Sequence, residues 1–136
     1  MPGFTPAADA RGMTQMNTET LTKMIDTYCA AWGEDDPAQR AALLQDVWAE
    51  RATYTDQLGH VEGRQNLVAH IGAMRQQFPG ARIVRTSAVD HHNHCARFSW
   101  RLESNGPPLP EGLDIVEFRD GKIQSVVGFF GPPPPL

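Results

Sequence analysis

From residue 18 onward the apolar positions recur first with the period of a helix and later with the period of a strand. Leu21, Met24, Ile25, Tyr28 and Trp32 stand at i, i+3, i+4 spacing, which predicts an amphipathic helix over Thr18 to Trp32 with Thr18 or Thr20 as its cap. Gly33 ends it. Asp36-Pro37 offers a capping carboxylate followed by a residue whose fixed φ suits a first helical turn, and a short second helix carries the stripe Leu43, Leu44, Val47 and Trp48. Ala52 to Asp56 reads as a brief strand, and Gln57 to His60 as a turn. A third helix follows to about Phe78; its stripe of Leu67, Ile71, Met74 and Phe78 puts His70 on or beside the inner face, because residues three and four apart share a side. Pro79-Gly80 then breaks it.

Beyond Arg82 the alternation has period 2. It predicts strands over Ala81 to Asp90, His94 to Glu103, Leu113 to Arg119 and Lys122 to Phe130, with turns at His91-His92-Asn93 and Asp120-Gly121 and a loop from Ser104 to Gly112. Asp-Gly between two alternating runs is a hairpin signal, since both residues tolerate the positive φ of a type I′ turn. Four successive strands make an antiparallel meander, and helices followed by strands make an α+β fold with the helices on one face of the sheet. The proline-rich ending, residues 132–136, has almost no backbone donors and is expected to leave the sheet as an extended tail; residues 1–17 are expected to form a loose arm.

Composition narrows the picture. The chain has 136 residues, about one domain, and its 40% hydrophobic and 21% charged residues are ordinary globular values with no bilayer-length apolar run. A net charge of −4 with no Lys/Arg cluster argues against nucleic acid as a partner. Cys29 and Cys95 have neither CxxC spacing nor a framework of bridges, and the N-terminus lacks a basic and then apolar leader, so the expectation is a cytoplasmic protein with reduced thiols.

The carrying residues of a family resemblance are Tyr54-Thr55-Asp56, Gly63-Arg64, Phe78-Pro79-Gly80, Phe98-Ser99-Trp100, Gly112 to Phe118, Asp120-Gly121-Lys122-Ile123 and Gly128-Phe129-Phe130. In this order, over about Thr18 to Gly131, the chain resembles the nuclear transport factor 2-like superfamily, in its SnoaL-like polyketide cyclase and ketosteroid isomerase-like branches. The resemblance implies a cystatin-like α+β roll: a conical shell of curved, mainly antiparallel sheet wrapped around a long helix, with an apolar pocket inside and a homodimer built on the sheet. It also implies that the carboxylates after the short strand and on the Gly-x-Asp strand, here Asp56 and Asp114, face the cavity. The fold hosts isomerases, cyclases, hydrolases, dehydratases and binding modules alike.

Each candidate has a functional and a structural reading. Enclosed in a cone, Asp56 loses solvation and suits a general base; otherwise it caps the turn that follows. Asp114 alternates with Val116 and Phe118, so on an inward face it is an acid among hydrocarbon that can stay protonated and donate to an oxyanion; otherwise it is a solvated strand-start residue. His70 is an acid, a base or a ligand donor near Asp56 and Tyr54, or a boundary residue of the core. Tyr28, Trp32, Tyr54, Met74, Trp100 and Phe118 are core or pocket wall, which merge in a cone, and the phenol of Tyr28 can also donate. His60 closes the cavity mouth or is a surface loop residue. His91, His92, His94 and Cys95 read as an exposed hairpin tip and not a metal site, because adjacent strand residues point to opposite faces. An arginine between two acids, as in limonene epoxide hydrolases, is matched poorly by Arg97 and Arg101, which have Ser99 and Glu103 two positions on where an aspartate belongs.

Phosphate-cradling glycine loops, a GxSxG elbow and HExxH are absent from the sequence, so no cofactor and no metal is expected. The expected function is cofactor-independent acid/base chemistry, of isomerase or cyclase type, on a small apolar carbonyl-bearing molecule. Asp56, paired with His70, would abstract a proton, and Asp114 or a tyrosine would stabilise the enolate. The alternatives are a module that only binds a hydrophobic ligand or serves as a dimeric scaffold, and an epoxide hydrolase-like hydrolase.

Overall fold

A computed structural model describes residues 16–107 and 109–136; the expected N-terminal arm lies, up to residue 15, outside the described residues. Helix α1 spans Thr18–Trp32 and buries the predicted stripe, Leu21, Met24, Ile25, Tyr28 and Trp32. Its cap is Asn17 and neither threonine: the Asn17 side chain accepts from Thr20 N at 2.8 Å. Helix α2 spans Pro37–Val47, with Asp36 accepting from Ala38 N at 2.9 Å. Trp48 is not part of that helix. It opens strand β1, Trp48–Asp56, where its fully buried indole stacks on Tyr28 at 5.6 Å between centroids.

The turn expected over residues 57–60 is a two-residue loop, Gln57-Leu58, leading into an additional strand β2, Gly59–Glu62, paired antiparallel with β1. Helix α3 spans Arg64–Gln77 and buries Leu67 and Ile71. The single strand expected over Ala81 to Asp90 is two, β3 Arg82–Arg85 and β4 Asp90–His92, both paired with β5, Cys95–Glu103. Between them a side chain takes a ladder position: Ser99 N donates to Ser87 Oγ at 2.9 Å where a backbone carbonyl would otherwise accept. The turn into β5 is Asn93-His94, both at positive φ, two residues later than the sequence pattern implied. Strands β6, Glu111–Arg119, and β7, Lys122–Phe130, form the predicted hairpin, with Asp120 and Gly121 at φ 53° and 73° as a type I′ turn requires.

The sheet runs β2-β1-β7-β6-β5-β3, with β4 also on β5. All pairings are antiparallel except β1 with β7, which is parallel. Register shifts in β1 between Trp48 and Thr53 and in β6 between Glu117 and Phe118 bend the strands, as bulges do, and the sheet is curved and open. The core fills its inner face: Ala96, Phe98 and Trp100 of β5, Val116 and Phe118 of β6, and Ile123 and Val126 of β7 meet the stripes of α1 and α3. None of the described helices is long and apolar enough to cross a membrane.

Two buried guanidiniums tie the helices together. Arg40 of α2 donates to the carbonyls of Glu34, Asp35 and Val68, joining the α1–α2 connection to α3. Arg75 of α3 donates to the carbonyls of Trp32 and Ala81 and pairs with Asp35 at 2.7 Å. The Trp32 carbonyl is one of the last acceptors of α1, which no helical N–H can reach. Replacing Arg75 by Met keeps the apolar stem and strands two buried carbonyls. Its expected cost is about 3 kcal/mol, read as a lower urea midpoint at unchanged m-value.

Candidate active site

A cavity of about 180 Å³ opens between α1, α3 and the inner face of the sheet. Tyr28 and Trp32 of α1, Tyr54 and Asp56 of β1, Trp100 of β5 and Asp114 of β6 form its wall, together with Met74 of α3. Leu58, 82% exposed at the tip of the β1–β2 loop, and Pro110 stand at its mouth beside the half-buried Leu109 and Phe130. Its polar groups are the side chains of Tyr28, Trp32, Tyr54, Asp56, Trp100 and Asp114, and the rest of its lining is hydrocarbon.

Asp114 is buried, and its Oδ1 accepts from Trp100 Nε1 at 2.9 Å. Burial is the largest influence on this carboxyl, the Trp100 bond opposes it, and the charge of Asp56 adds to it; the result is a pKa raised from 3.8 to about 7. Desolvation wins over one hydrogen bond because the indole satisfies only one of the two oxygens. Two glycines make the arrangement possible. Trp100 faces Gly112 across the β5–β6 ladder, and a Cβ at Gly112 would run into the indole ring. Gly128 faces Asp114 across the β6–β7 ladder, and a Cβ there would lie 2.8 Å from Asp114 Oδ1, 3.6 Å from Tyr54 Oη and 3.8 Å from the Asp56 Cβ. Asp114, Tyr54 and Asp56 thus converge over the one place on β7 that has no side chain.

Asp56 is half-buried and accepts two hydrogen bonds, from Tyr54 Oη at 2.7 Å on one oxygen and from Leu58 N at 2.7 Å on the other. It caps the loop and also lines the cavity. Tyr54 is held as a neutral phenol by its burial, by this hydrogen bond and by the charges of Asp114 and Asp56, all of which raise its pKa. Burial likewise holds Tyr28 neutral, with Asp114 adding to the effect.

The remaining candidates fall elsewhere. His70 is half-buried with its ring edge-on to Trp32 at 6.0 Å and tilted against Tyr54 at 5.7 Å, and it does not line the cavity; the partner of Asp56 is Tyr54. His60 is exposed on β2, hydrogen-bonded to Thr55 at 2.7 Å, because β2 is the outer strand of the sheet. Phe118 is core, four residues along β6 from Asp114, packed on His94 and away from the cavity. Arg97 and Arg101 lie on the outer face of β5, paired with Asp90 and Glu103. Among the described residues no cluster of three metal-ligating side chains occurs, and Cys29 and Cys95 are both free thiols. Sequence reasoning missed the apolar mouth and the clearance the two glycines provide; Gly128 inside an alternating strand run was an available signal, whereas Gly112 read as the end of a loop and lies in β6 only because that strand starts at Glu111.

Comparison with known proteins agrees with this architecture. Residues 25–126 match the profile of the SnoaL-like domain. No curated protein matches the chain. Among solved structures, a protein of the SnoaL-like family from Agrobacterium tumefaciens, named as a candidate isomerase, is 40% identical, with a TM-score of 0.77 over 84% of this chain and 99% of that one. Two more distant structures share the fold. One, from Methylobium petroleophilum, has a cystatin-like fold, with 18% identity and a TM-score of 0.73 over 90% of this chain and 82% of that one. The other, from Catenulispora acidiphila, has a ketosteroid isomerase-like fold and was solved with trimethylamine, with 14% identity and a TM-score of 0.67 over 80% and 85%. A profile match spanning most of the chain and a 40% identical relative covered almost end to end place the protein in the SnoaL-like family of the nuclear transport factor 2-like superfamily.

Proposed function

We propose that the protein is a cofactor-independent enzyme of isomerase or cyclase type that moves protons within a small apolar carbonyl compound. The observation that carries this reading is the pair of unlike acids in one cavity. Asp56, an acceptor of two hydrogen bonds, serves as the base, and Asp114, desolvated and held near pH 7, serves as the acid. The substrate's C–H bond breaks with its proton going to Asp56, and the electron pair moves onto the carbonyl oxygen. Protonated Asp114 and the Tyr28 hydroxyl donate to that oxygen. Return of the proton from Asp56 to a different carbon completes an isomerisation; attack of the enolate on a second carbonyl of the same molecule would make it a cyclisation. Tyr54 orients Asp56 and does not titrate. The outward placement of Arg97 and Arg101 leaves epoxide opening without its arginine, which favours the proton-transfer reading.

The same proposal extends to assembly. Val127 and Phe129 are exposed on the outer face of β7, directly paired with Ile115 and Leu113 of β6, which makes a four-residue apolar patch at the middle of the sheet. A second copy of the chain is the partner that fits it, with the cavities on the faces turned away from each other.

Four outcomes follow. In deuterium oxide the protein should exchange the α-protons of a small cyclic ketone, and Asp56→Asn should slow that exchange at least 100-fold as followed by proton NMR; an unchanged rate would remove Asp56 from the chemistry and leave a binding module. Exchange in the wild type should fall as pH rises through about 7, where Asp114 loses its proton, and Asp114→Asn should flatten that limb. Stability carries the same sign. Between about 3.8 and 7 the unfolded chain has released a proton that the folded chain retains, so stability declines as pH rises, by roughly 4 kcal/mol in the limit, and the Asn variant escapes this decline in melting experiments across pH 4 to 8. Phe129→Lys should turn a sedimenting dimer into a monomer without altering the melting of the protomer by more than about 0.5 kcal/mol.

A further inference from the structure

The cavity does not end at its mouth. Leu109, one of the mouth residues, and Phe78 also line a groove of about 440 Å³ on the surface, between the end of α3 and the β5–β6 loop. Gln77 and Pro79 continue its α3 side, and Asn105 and Pro107 its loop side. Both sides are fixed. Phe78 N donates to Met74 O at 2.9 Å and Ala81 N donates to Phe78 O at 3.0 Å, so the chain turns sharply at Pro79-Gly80, next to the Ala81 carbonyl that Arg75 holds. Gly80, at φ 76°, lies against the amide of Asn105: a Cβ there would be 2.6 Å from Asn105 Nδ2. The loop is drawn together in turn by Gly106 N, which donates to Ser104 Oγ at 3.2 Å. The two sides thus meet over a residue that has no side chain.

Groove and cavity differ in chemistry. None of the described side chains lining the groove carries a charge, whereas the cavity holds Asp56 and Asp114. Phe78 and Leu109 are half-buried and Pro79 and Pro107 exposed, so hydrocarbon faces water along a strip continuous with the mouth. The cavity alone is also small. A ~150 Å³ apolar cavity holds one benzene, so a cavity of about 180 Å³ takes roughly seven non-hydrogen atoms. Sites for drug-sized molecules have ~300–1,000 Å³, and the cavity and groove together fall within that range. We propose that the groove is a subsite for an unbranched alkyl chain, so that the substrate is a small carbonyl head seated in the cavity with a linear hydrocarbon tail that leaves past Phe78 and Leu109. Such a tail needs contact and no polar partner, and a charged one would find no counter-ion among the residues it meets. The choice of a carbonyl head rests on the proton-transfer reading; the chain subsite does not.

Straight-chain methyl ketones from 2-butanone to 2-nonanone provide the test. They are titrated into the ¹⁵N-labelled full chain, with the Trp100 indole N–H reporting on the cavity and the backbone amides of Asn105 and Gly106 on the groove. 2-Hexanone, which fills the cavity, should move Trp100 and leave the groove amides in place; 2-octanone and 2-nonanone should move both. Affinity should keep rising beyond 2-hexanone by about fourfold per methylene, the equivalent of ~0.8 kcal/mol for each CH₂ buried. Pro79→Asp, which puts a charge beside the chain, should weaken 2-nonanone at least tenfold more than 2-hexanone. Affinity that levels off at 2-hexanone overturns the subsite, and so does a rise with chain length whose shifts fall on Val127 and Phe129 of the outer face and not on Asn105 and Gly106. Ketones that move neither reporter overturn it as well. Because the wild-type series decides the matter, a Pro79→Asp chain that does not fold leaves the test intact. Exchange of the α-protons of the same ketones in deuterium oxide separates the two readings: a chain-length effect without exchange keeps the subsite and rejects the enzyme, whereas exchange without a chain-length effect does the reverse.

Discussion

The wall of the cavity is held in place by a charge that never enters it. The guanidinium of Arg75 joins the last turn of α1 at Trp32, the exposed Asp35 beyond it and Ala81 just ahead of β3, so one buried cation joins the helical layer to the start of the meander. A helix ending over a cavity would otherwise leave its terminal carbonyls without donors, and water would be the only substitute. Because Arg75 supplies those donors, α1 can stop at Trp32 with its aromatic face committed to the cavity. The curved sheet needs such a brace. A concave surface leaves space that a single helix cannot fill, and the space survives only if the helices are kept from settling further into it.

The inner face of the sheet is polar at one place, and that place is built by subtraction. Asp114 pairs across the ladders with Phe98 on one side and Gly128 on the other, and Trp100 crosses Gly112 to reach it. A side chain at either glycine would close the space above the strand, as the clearances show. The cost of putting a carboxyl there is carried by the rest of the core, from Leu21 to Val126. It is the usual exchange by which a site spends stability to hold a group in an unfavourable state.

Local pattern was enough for much of this. The period of α1 needs only its own residues, and the Asp120-Gly121 turn only its two φ angles, so both were legible. The alternation in β6 likewise placed Asp114 on the face of Val116. What was not legible depends on distant chain. Gly59-His60-Val61-Glu62 has no apolar alternation and becomes a strand only because β1 offers it a ladder. Trp48 fits a helical stripe as well as it fits the strand, and the stacking surface of Tyr28, twenty residues earlier, decides between them. The parallel pairing of β1 with β7 joins segments about seventy residues apart and leaves no local trace. At the site, the partnership of Tyr54 with Asp56 is a within-strand i, i+2 relation and could have been read; the displacement of His70 onto the back of the aromatic wall depends on how α3 is rotated, which a stripe of four residues on a helix of about four turns defines only to within one position.

The split between β3 and β4 bears on how the protein avoids uncontrolled self-association. Of the two free margins of the sheet, one is the four-residue β2 and the other is divided between β3, of four residues, and β4, of three, with Ser87 occupying the break. Neither margin offers a long, regular row of unpaired amides on which a stray chain could extend the sheet. A chain added at either margin would find a ladder of at most four residues before the strand ends.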